Sequence, residues 1–365
     1  MAEHIYIHIP FCNSICNYCD FPKLKLIDRY VGSYLKALDN EIMTRYQGET
    51  VSTIYLGGGT PTSLDLEGLK ILFKSIEKIK KSENCEITIE ANPDSLDYQK
   101  LEFLYQQGVN RLSIGVQTFD EEILKSLNRT HSNKDVFNCI SDARKIGFNN
   151  INVDLMYGFH GQKDADLQKD LEIFNSLDVE HISIYSLILE ENSVFGKNGY
   201  NKIDDEVEAD YYLLIIEYLN TKGYNHYEIS NFSKTNYESI HNNCYWELKD
   251  YYGFGFGAHS FINSQRIANT YLIGEYMNGN NNQIIDDISA KNLIEEYMFL
   301  GLRKINGVSK SEFETMFSIS IESYYKDAII KLIEKDLLTE SPERIKLTNK
   351  GLLLANNVML EFLLD

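Results

Sequence analysis

A rhythm repeated six times through the first half of the chain limits the fold most: a short apolar extended segment, then an amphipathic helical stretch. The extended segments fall at 5–9, 53–56, 86–90, 111–116, 152–156 and 181–187, each rich in Ile, Val, Leu or Tyr. Helical patterns fill the gaps at 28–46, 66–80, 96–107, 136–146 and 167–177, and a sixth follows at 206–220. In the first of these, Tyr30, Tyr34, Leu35, Leu38 and Ile42 recur with the period of one helix face. Gly108 and Gly147 stand just past their helices, where a left-handed residue satisfies the last carbonyls. Such alternation calls for parallel strands covered by helices.

Periodicity alone leaves a doubly wound open sheet and a curved sheet as alternatives. The placement of unusual residues favours the curved one. A cysteine cluster, residues 57–62, residues 90–93, Gln117 and Asp154 all lie at or beyond the carboxyl ends of successive strands. That is the rim at which a (β/α) barrel presents its chemistry. Six repeats predict an α/β fold, a partial (β/α)6 TIM-like barrel with one open side, over 1–222. Residues 223–284, rich in Tyr, Asn, Gly and Phe, carry extended candidates at 224–229 and 253–262 and read as a segment closing or lining the open flank. Residues 285–365 show helices at 293–302, 324–335 and 351–362 with an extended piece at 344–347, the outline of a small winged-helix-like, mainly helical domain.

Composition narrows the partners. Lys plus Arg number 35 against 54 Asp plus Glu, a formal charge of -19. That balance opposes non-specific attraction to nucleic acid, and the last domain has no Lys/Arg-rich recognition helix. No nucleic-acid partner is expected. The first residues lack a basic region followed by an apolar stretch, and no apolar run approaches the ~18–20 residues that span a bilayer. A cytoplasmic location is the expectation.

Cys12, Cys16 and Cys19 form C-x3-C-x2-C in the loop after the first strand, while Cys85, Cys139 and Cys244 are scattered singly and read as small core residues. A cluster of this kind suits a metal centre better than a disulfide framework. Soft thiolates favour zinc, copper or iron–sulfur centres. Zinc stays open with His8 or Asp20 as a fourth ligand. Three thiolates on an iron–sulfur cubane would leave its fourth iron free for an external ligand such as an amino acid. Gly57, Gly58 and Gly59, followed by Thr60 and Pro61, end the second strand with backbone that can turn or approach a ligand closely. No Gly-Lys-Ser/Thr follows, so this is not a phosphate loop.

The segment IHIPFCNSICNYCDF resembles the cluster loop of the radical S-adenosylmethionine superfamily. The resemblance implies a [4Fe-4S] cluster on Cys12, Cys16 and Cys19. It also implies S-adenosyl-L-methionine (AdoMet) on the unique iron, where reduction cleaves it to methionine and a 5'-deoxyadenosyl radical. Within the superfamily the chain is similar to the oxygen-independent coproporphyrinogen III oxidase group. Tyr6, His8 and Pro10 match that group, and Glu90 in EANPDS, Gln117 in GVQTFD, Arg129 in LNRTH and Asp154 in NVDLMYG stand where it places AdoMet contacts. Carboxylates can accept from ribose hydroxyls or the methionine amine, and a guanidinium can hold the methionine carboxylate. Ile184 and Tyr185 are candidates to border adenine.

The carboxyl-terminal segments YEISNFSKTNYESIHNNCYW, YYGFGFGAHSF and EEYMFLGLRKINGVS look like the haem-chaperone branch of the group. Phe21 stands where the oxidase has a further cysteine, and too little chain precedes Ile5 for the oxidase's amino-terminal arm. The branch implies haem as cargo, bound through an H-N-R-x-Y-type segment. Here that segment is His241-Asn242-Asn243-Cys244-Tyr245, so Asn243 replaces the arginine and removes a partner for a haem propionate. His241 is the expected iron ligand, with Tyr245 and Trp246 offering an apolar face. A buried structural histidine is the alternative, Cys244 is an alternative ligand, and His259 is read as structural. The branch also implies a respiratory haem-protein acceptor at the membrane, transient membrane contact through it, an electron donor and a homodimer. The competing function is oxidative decarboxylation of coproporphyrinogen III to protoporphyrinogen IX.

Overall fold

The computed structural model describes residues 2–364; Met1 and Asp365, the outer ends of the first and third expected segments, lie outside the described residues. All six expected strands form. They are β1 (His4–Ile9), β2 (Val51–Gly58), β3 (Lys81–Ala91), β4 (Arg111–Gln117), β5 (Ile151–Tyr157) and β6 (His181–Ser186). Each lies parallel to the next in chain order.

Each strand alternates. Ile5, Ile54, Ile89, Leu112, Val153 and Ile182 are 0% exposed and face the covering helices. Their neighbours Tyr6, Tyr55, Glu90, Arg111, Asp154 and Ser183 therefore face the inside of the curve. Helices such as Asp28–Arg45, Leu66–Ile76 and Asn133–Ile146 cover the outer face. Their starts are fixed by side-chain caps: Asp65 accepts from the Gly68 N–H at 2.8 Å, and Ser132 forms a capping box with Asp135. Gly108 and Gly147 have positive φ, 86° and 122°.

The sheet continues beyond the six repeats at both edges. The added strands are β7 (Asn225–Glu228), β8 (Asn231–Ser233), β9 (Tyr251–Phe254), β10 (His259–Ile262), β11 (Gln265–Ala268) and β12 (Ile284–Asp287). The order is β12-β11-β10-β9-β1-β2-β3-β4-β5-β6-β8-β7. β9 runs parallel to β1 as a seventh barrel strand, and β8 is antiparallel to β6. The extended stretch expected over 253–262 is in fact a hairpin, because Gly255 (φ 106°) and Gly257 (φ 66°) reverse the chain within it. Helix Ile240–Trp246 lies across the amino end of the barrel, where the N–H groups of Ile240 and His241 donate to the carboxylate of Glu86.

Downstream, helices Ala290–Arg303, Lys310–Phe317 and Glu322–Glu334 pack with a three-stranded sheet of Val308–Ser309, Arg344–Leu347 and Leu338–Glu340. The helix expected over 351–362 is two short helices, Asn349–Leu353 and Ala355–Leu360, separated at Leu354. Among the described residues no helix is long and apolar enough to cross a membrane.

Candidate functional site: the cysteine rim and the barrel interior

A two-residue parallel pairing of Phe11–Cys12 with Leu24–Lys25 closes the loop after β1, so that Cys16 and Cys19 sit on a tethered excursion. The far side of the rim clamps that excursion. Asn17 Nδ2 donates to the Ser126 carbonyl at 2.7 Å, and Asn128 Nδ2 donates to the Ile15 carbonyl at 2.8 Å. Cys12 is buried, while Cys16 and Cys19 are half-buried, and all three are free thiols. Burial pushes the Cys12 thiol up to about 11 and raises Cys19, so metal binding there must displace protons.

Among the described residues no three His, Cys, Asp or Glu side chains converge on a single metal ion. An iron–sulfur cluster, if bound, would take each thiolate on a different iron. His8 is no zinc ligand in this arrangement. Its Nε2 donates to the Pro22 carbonyl at 2.7 Å and its Nδ1 accepts from the Tyr6 hydroxyl at 2.9 Å. Burial depresses its pKa to about 4, which keeps the ring neutral.

The glycines exist because side chains would not fit. A Cβ on Gly58, whose φ is 116°, would lie within 2.5 Å of the His8 ring. One on Gly59 would lie 2.9 Å from Cys12 Sγ, and one on Gly57 3.0 Å from the Glu90 carboxyl group. The end of β2 thereby closes onto both the cysteine loop and β3. Thr60 Oγ1 reaches Cys12 Sγ at 3.8 Å.

Glu90 accepts from the Tyr55 hydroxyl at 2.8 Å and from the Gly58 N–H at 3.1 Å. Burial pushes its carboxyl up to about 7, with the nearby Asp154 charge adding to the rise. Asp154 accepts from Asn152 Nδ2 at 2.8 Å and is likewise raised by burial. Arg129 Nη1 stands 3.6 Å from Cys16 Sγ and Nη2 donates to the Gly115 carbonyl, while its buried Nε has no partner. A Cβ on Gly115 would come within 3.0 Å of Arg129 Nη2 and 2.9 Å of Gln117 Nε2. Gln117 is held at φ 72°, backbone strain of the kind that collects at ligand sites.

The rim thus gathers Tyr6, Cys12, Cys16, Cys19, Gly57–Gly59, Thr60, Glu90, Gln117, Arg129 and Asp154. Tyr18 belongs with them although sequence reasoning passed it over. Burial raises its phenol, and the Arg129 charge pulls it back. Its position between the second and third cysteines was the available signal. Of the pair considered beside adenine, only Tyr185 faces inward; Ile184 is 2% exposed in the helix-side core, as alternation requires.

His241 is not at the rim. It meets β2 at Thr53, near the amino end of that strand and about 16 Å along it from Gly58 at roughly 3.3 Å per residue. Its Nδ1 meets Thr53 Oγ1 at 2.7 Å, its Nε2 meets the Tyr245 hydroxyl at 2.7 Å, and its ring stacks on Tyr55 with centroids 5.1 Å apart. The residue is 1% exposed, and both ring nitrogens are committed in this conformation. Asn243 is half-buried, Cys244 is buried, and the Arg303 guanidinium lies 4.4 Å over the Trp246 ring. His259 Nε2 meets the Tyr271 hydroxyl at 2.6 Å.

Comparison with known proteins agrees with this geometry. Residues 6–174 match the Radical SAM superfamily, and residues 288–354 match the HemN C-terminal domain. Among solved structures, a coproporphyrinogen III oxidase (HemN) from Escherichia coli, described as a radical SAM enzyme, superposes with a TM-score of 0.88. It matches over 99% of this chain and 90% of that one at 24% identity, a likeness of fold. The protein is therefore of the radical SAM class, whose partial barrel carries a [4Fe-4S] and AdoMet motif at the amino-terminal cysteines.

The relatives sharpen this. A protein of Bacillus subtilis named heme chaperone HemW is 41% identical over 98% of this chain and 98% of its own. That of Lactococcus lactis is 40% identical over 99% and 97%, and that of Escherichia coli 32% over 99% and 98%. The chain belongs to the HemW family.

Proposed function

We propose that this protein binds haem and delivers it to acceptor haem proteins, with a [4Fe-4S] cluster on Cys12, Cys16 and Cys19 and AdoMet at the cluster's fourth iron. The observation that carries the reading is its 40–41% identity, over almost the full length of both chains, with proteins named heme chaperone HemW. The rim supports the cofactor assignment through three free thiols and an Arg129 Nε left without a partner.

When bound, the cluster supplies an iron for the amino-acid end of AdoMet and a source of one electron. The protein's residues do the rest. Arg129, beside Cys16, offers its unpartnered N–H to the methionine carboxylate. Glu90 and Asp154 accept from the ribose hydroxyls or the ammonium group, and the backbone of Gly57–Gly59 with Thr60 lines the approach. Tyr6 and Gln117 bound the pocket and exclude water from it. For haem, His241 remains the proposed axial ligand. Ligation exchanges its Tyr245 hydrogen bond for iron and needs helix Ile240–Trp246 to move; Ile240 is 51% exposed, so this helix lies at the surface. A respiratory acceptor at the membrane, an electron donor and a homodimer complete the proposal.

The test is anaerobic reconstitution with iron and sulfide, then haem titration, a coproporphyrinogen III assay and transfer to an apo-haem protein. Stoichiometric haem uptake with no vinyl product is expected, weakened by His241→Ala. Turnover to protoporphyrinogen IX would replace this reading with the oxidase one.

A further inference from the structure

The barrel's inner face carries a cation that the rim chemistry leaves unused. Arg111 opens β4 and points inward, opposite to Leu112, and is 2% exposed. Its side chain forms no hydrogen bond with any described residue, and its Nε is buried without a partner. Thr88, its register neighbour on β3, is 0% exposed, and its hydroxyl is unpartnered too. A buried guanidinium lacking an acceptor is unfavourable unless something brought into the site supplies one. The nearby carboxylates do not. Glu90 is taken by Tyr55 and Gly58, and Asp154 by Asn152; Arg111 influences both only through space.

Arg111 and Thr88 are themselves closed in, and the accessible inner surface lies on the rim side of them. Tyr185 keeps 43% of its surface, although burial drives its phenol well above the ordinary value. Tyr6, Tyr55, Glu90 and Asp154 also keep part of theirs, while their helix-facing neighbours on the same strands keep none. Inward-facing surface that stays accessible on these strands lines a chamber on the rim side of Arg111, which influences two of its residues, Glu90 and Asp154, through space.

We propose that Arg111, with Thr88 beside it, holds a carboxylate of the ligand that enters this chamber, and that the carboxylate is a propionate of a tetrapyrrole. The proposal rests on the haem reading above. A guanidinium fork matches a carboxylate in bidentate fashion, and the Thr88 hydroxyl adds a donor. Two bound molecules could bring a carboxylate here: AdoMet and the tetrapyrrole. Arg129 stands against Cys16, where the methionine end must sit to reach the cluster. Arg111, at the opposite end of β4 from Gln117, is left for the propionate.

The test titrates cluster-reconstituted wild type, Arg111→Gln and Arg111→Lys with haem and with haem dimethyl ester, followed by absorbance, and measures AdoMet affinity by equilibrium dialysis. Wild type is expected to prefer the free acid by roughly tenfold or more. Arg111→Gln should bind both forms like the ester, with AdoMet affinity unchanged. Arg111→Lys, which keeps the charge without the fork, should retain part of the preference and serves as the folded variant if the glutamine form is unstable. A wild type that binds haem and its ester equally would overturn the proposal while leaving haem binding intact; one that binds neither would remove the haem reading itself. An Arg111→Gln variant that keeps the preference but loses AdoMet would also overturn it, assigning the carboxylate to the cofactor.

Discussion

At the carboxyl rim of the barrel the inward-facing groups have spare capacity: Arg129 Nε is unpartnered and Gln117 is strained. At the amino end of the same strands the histidines, unlike Arg111, are held by partners. His241 uses both ring nitrogens, His181 meets Asn152 at 2.6 Å and Tyr227 at 2.8 Å, and His4 meets Thr53 at 3.0 Å. Both ends are polar, yet the rim is prepared for a guest, while the amino-end histidines form a plug in this conformation. Polarity inside a barrel does not mark a site; unsatisfied polarity does.

The largest effect that should separate the two ends is on metal content. Cys12→Ser should abolish the sulfide-to-iron absorbance after reconstitution, whereas Cys244→Ser, at the amino end, should leave it intact; equal losses would break the comparison.

Next in size is stability. His241→Ala removes one buried and one part-buried hydrogen bond and a stacked ring and should cost about 2–4 kcal/mol in chemical denaturation. Asp154→Asn, which replaces a carboxyl that burial disfavours as an anion, should leave stability level or higher while lowering AdoMet affinity. A strongly destabilised Asp154→Asn would mean that the rim is built like the plug.

The smallest effect is a pH dependence. The Glu90 carboxyl stands at about 7 when folded, against an ordinary value near 4.5, so the native state binds its proton more tightly than the unfolded chain. Its contribution is therefore present below about pH 4.5 and is lost as the pH rises to about 7. Glu90→Gln should flatten the melting-temperature profile across that window. A profile that Glu90→Gln leaves unchanged would count against the enclosed rim.

Much of the rim was legible because its elements carry local signals. The cysteine spacing, the glycine run and the strand-end carboxylates each stand beside an apolar segment that announces a strand. The alternation in HIYIHI and EITIE even carried the two-faced character of the strands. Other features left no local mark. Arg111 and Tyr18 read as ordinary residues until the curvature of the sheet turned them inward. The hairpin within 253–262 was hidden because its turn glycines sit among aromatic residues that also suit a strand.

His241 marks the division most clearly. The sequence determined its neighbours along the chain, and with them the HNNCY segment and its likeness to a haem-binding motif. Only the tertiary structure decided that Thr53, Tyr55 and Glu86, from strands far earlier in the chain, would surround it at the amino end of the barrel. The physical reason is that periodicity and spacing are local properties of a chain. Whether a polar group is left hungry or satisfied depends on partners that only closure of the barrel brings within hydrogen-bond reach.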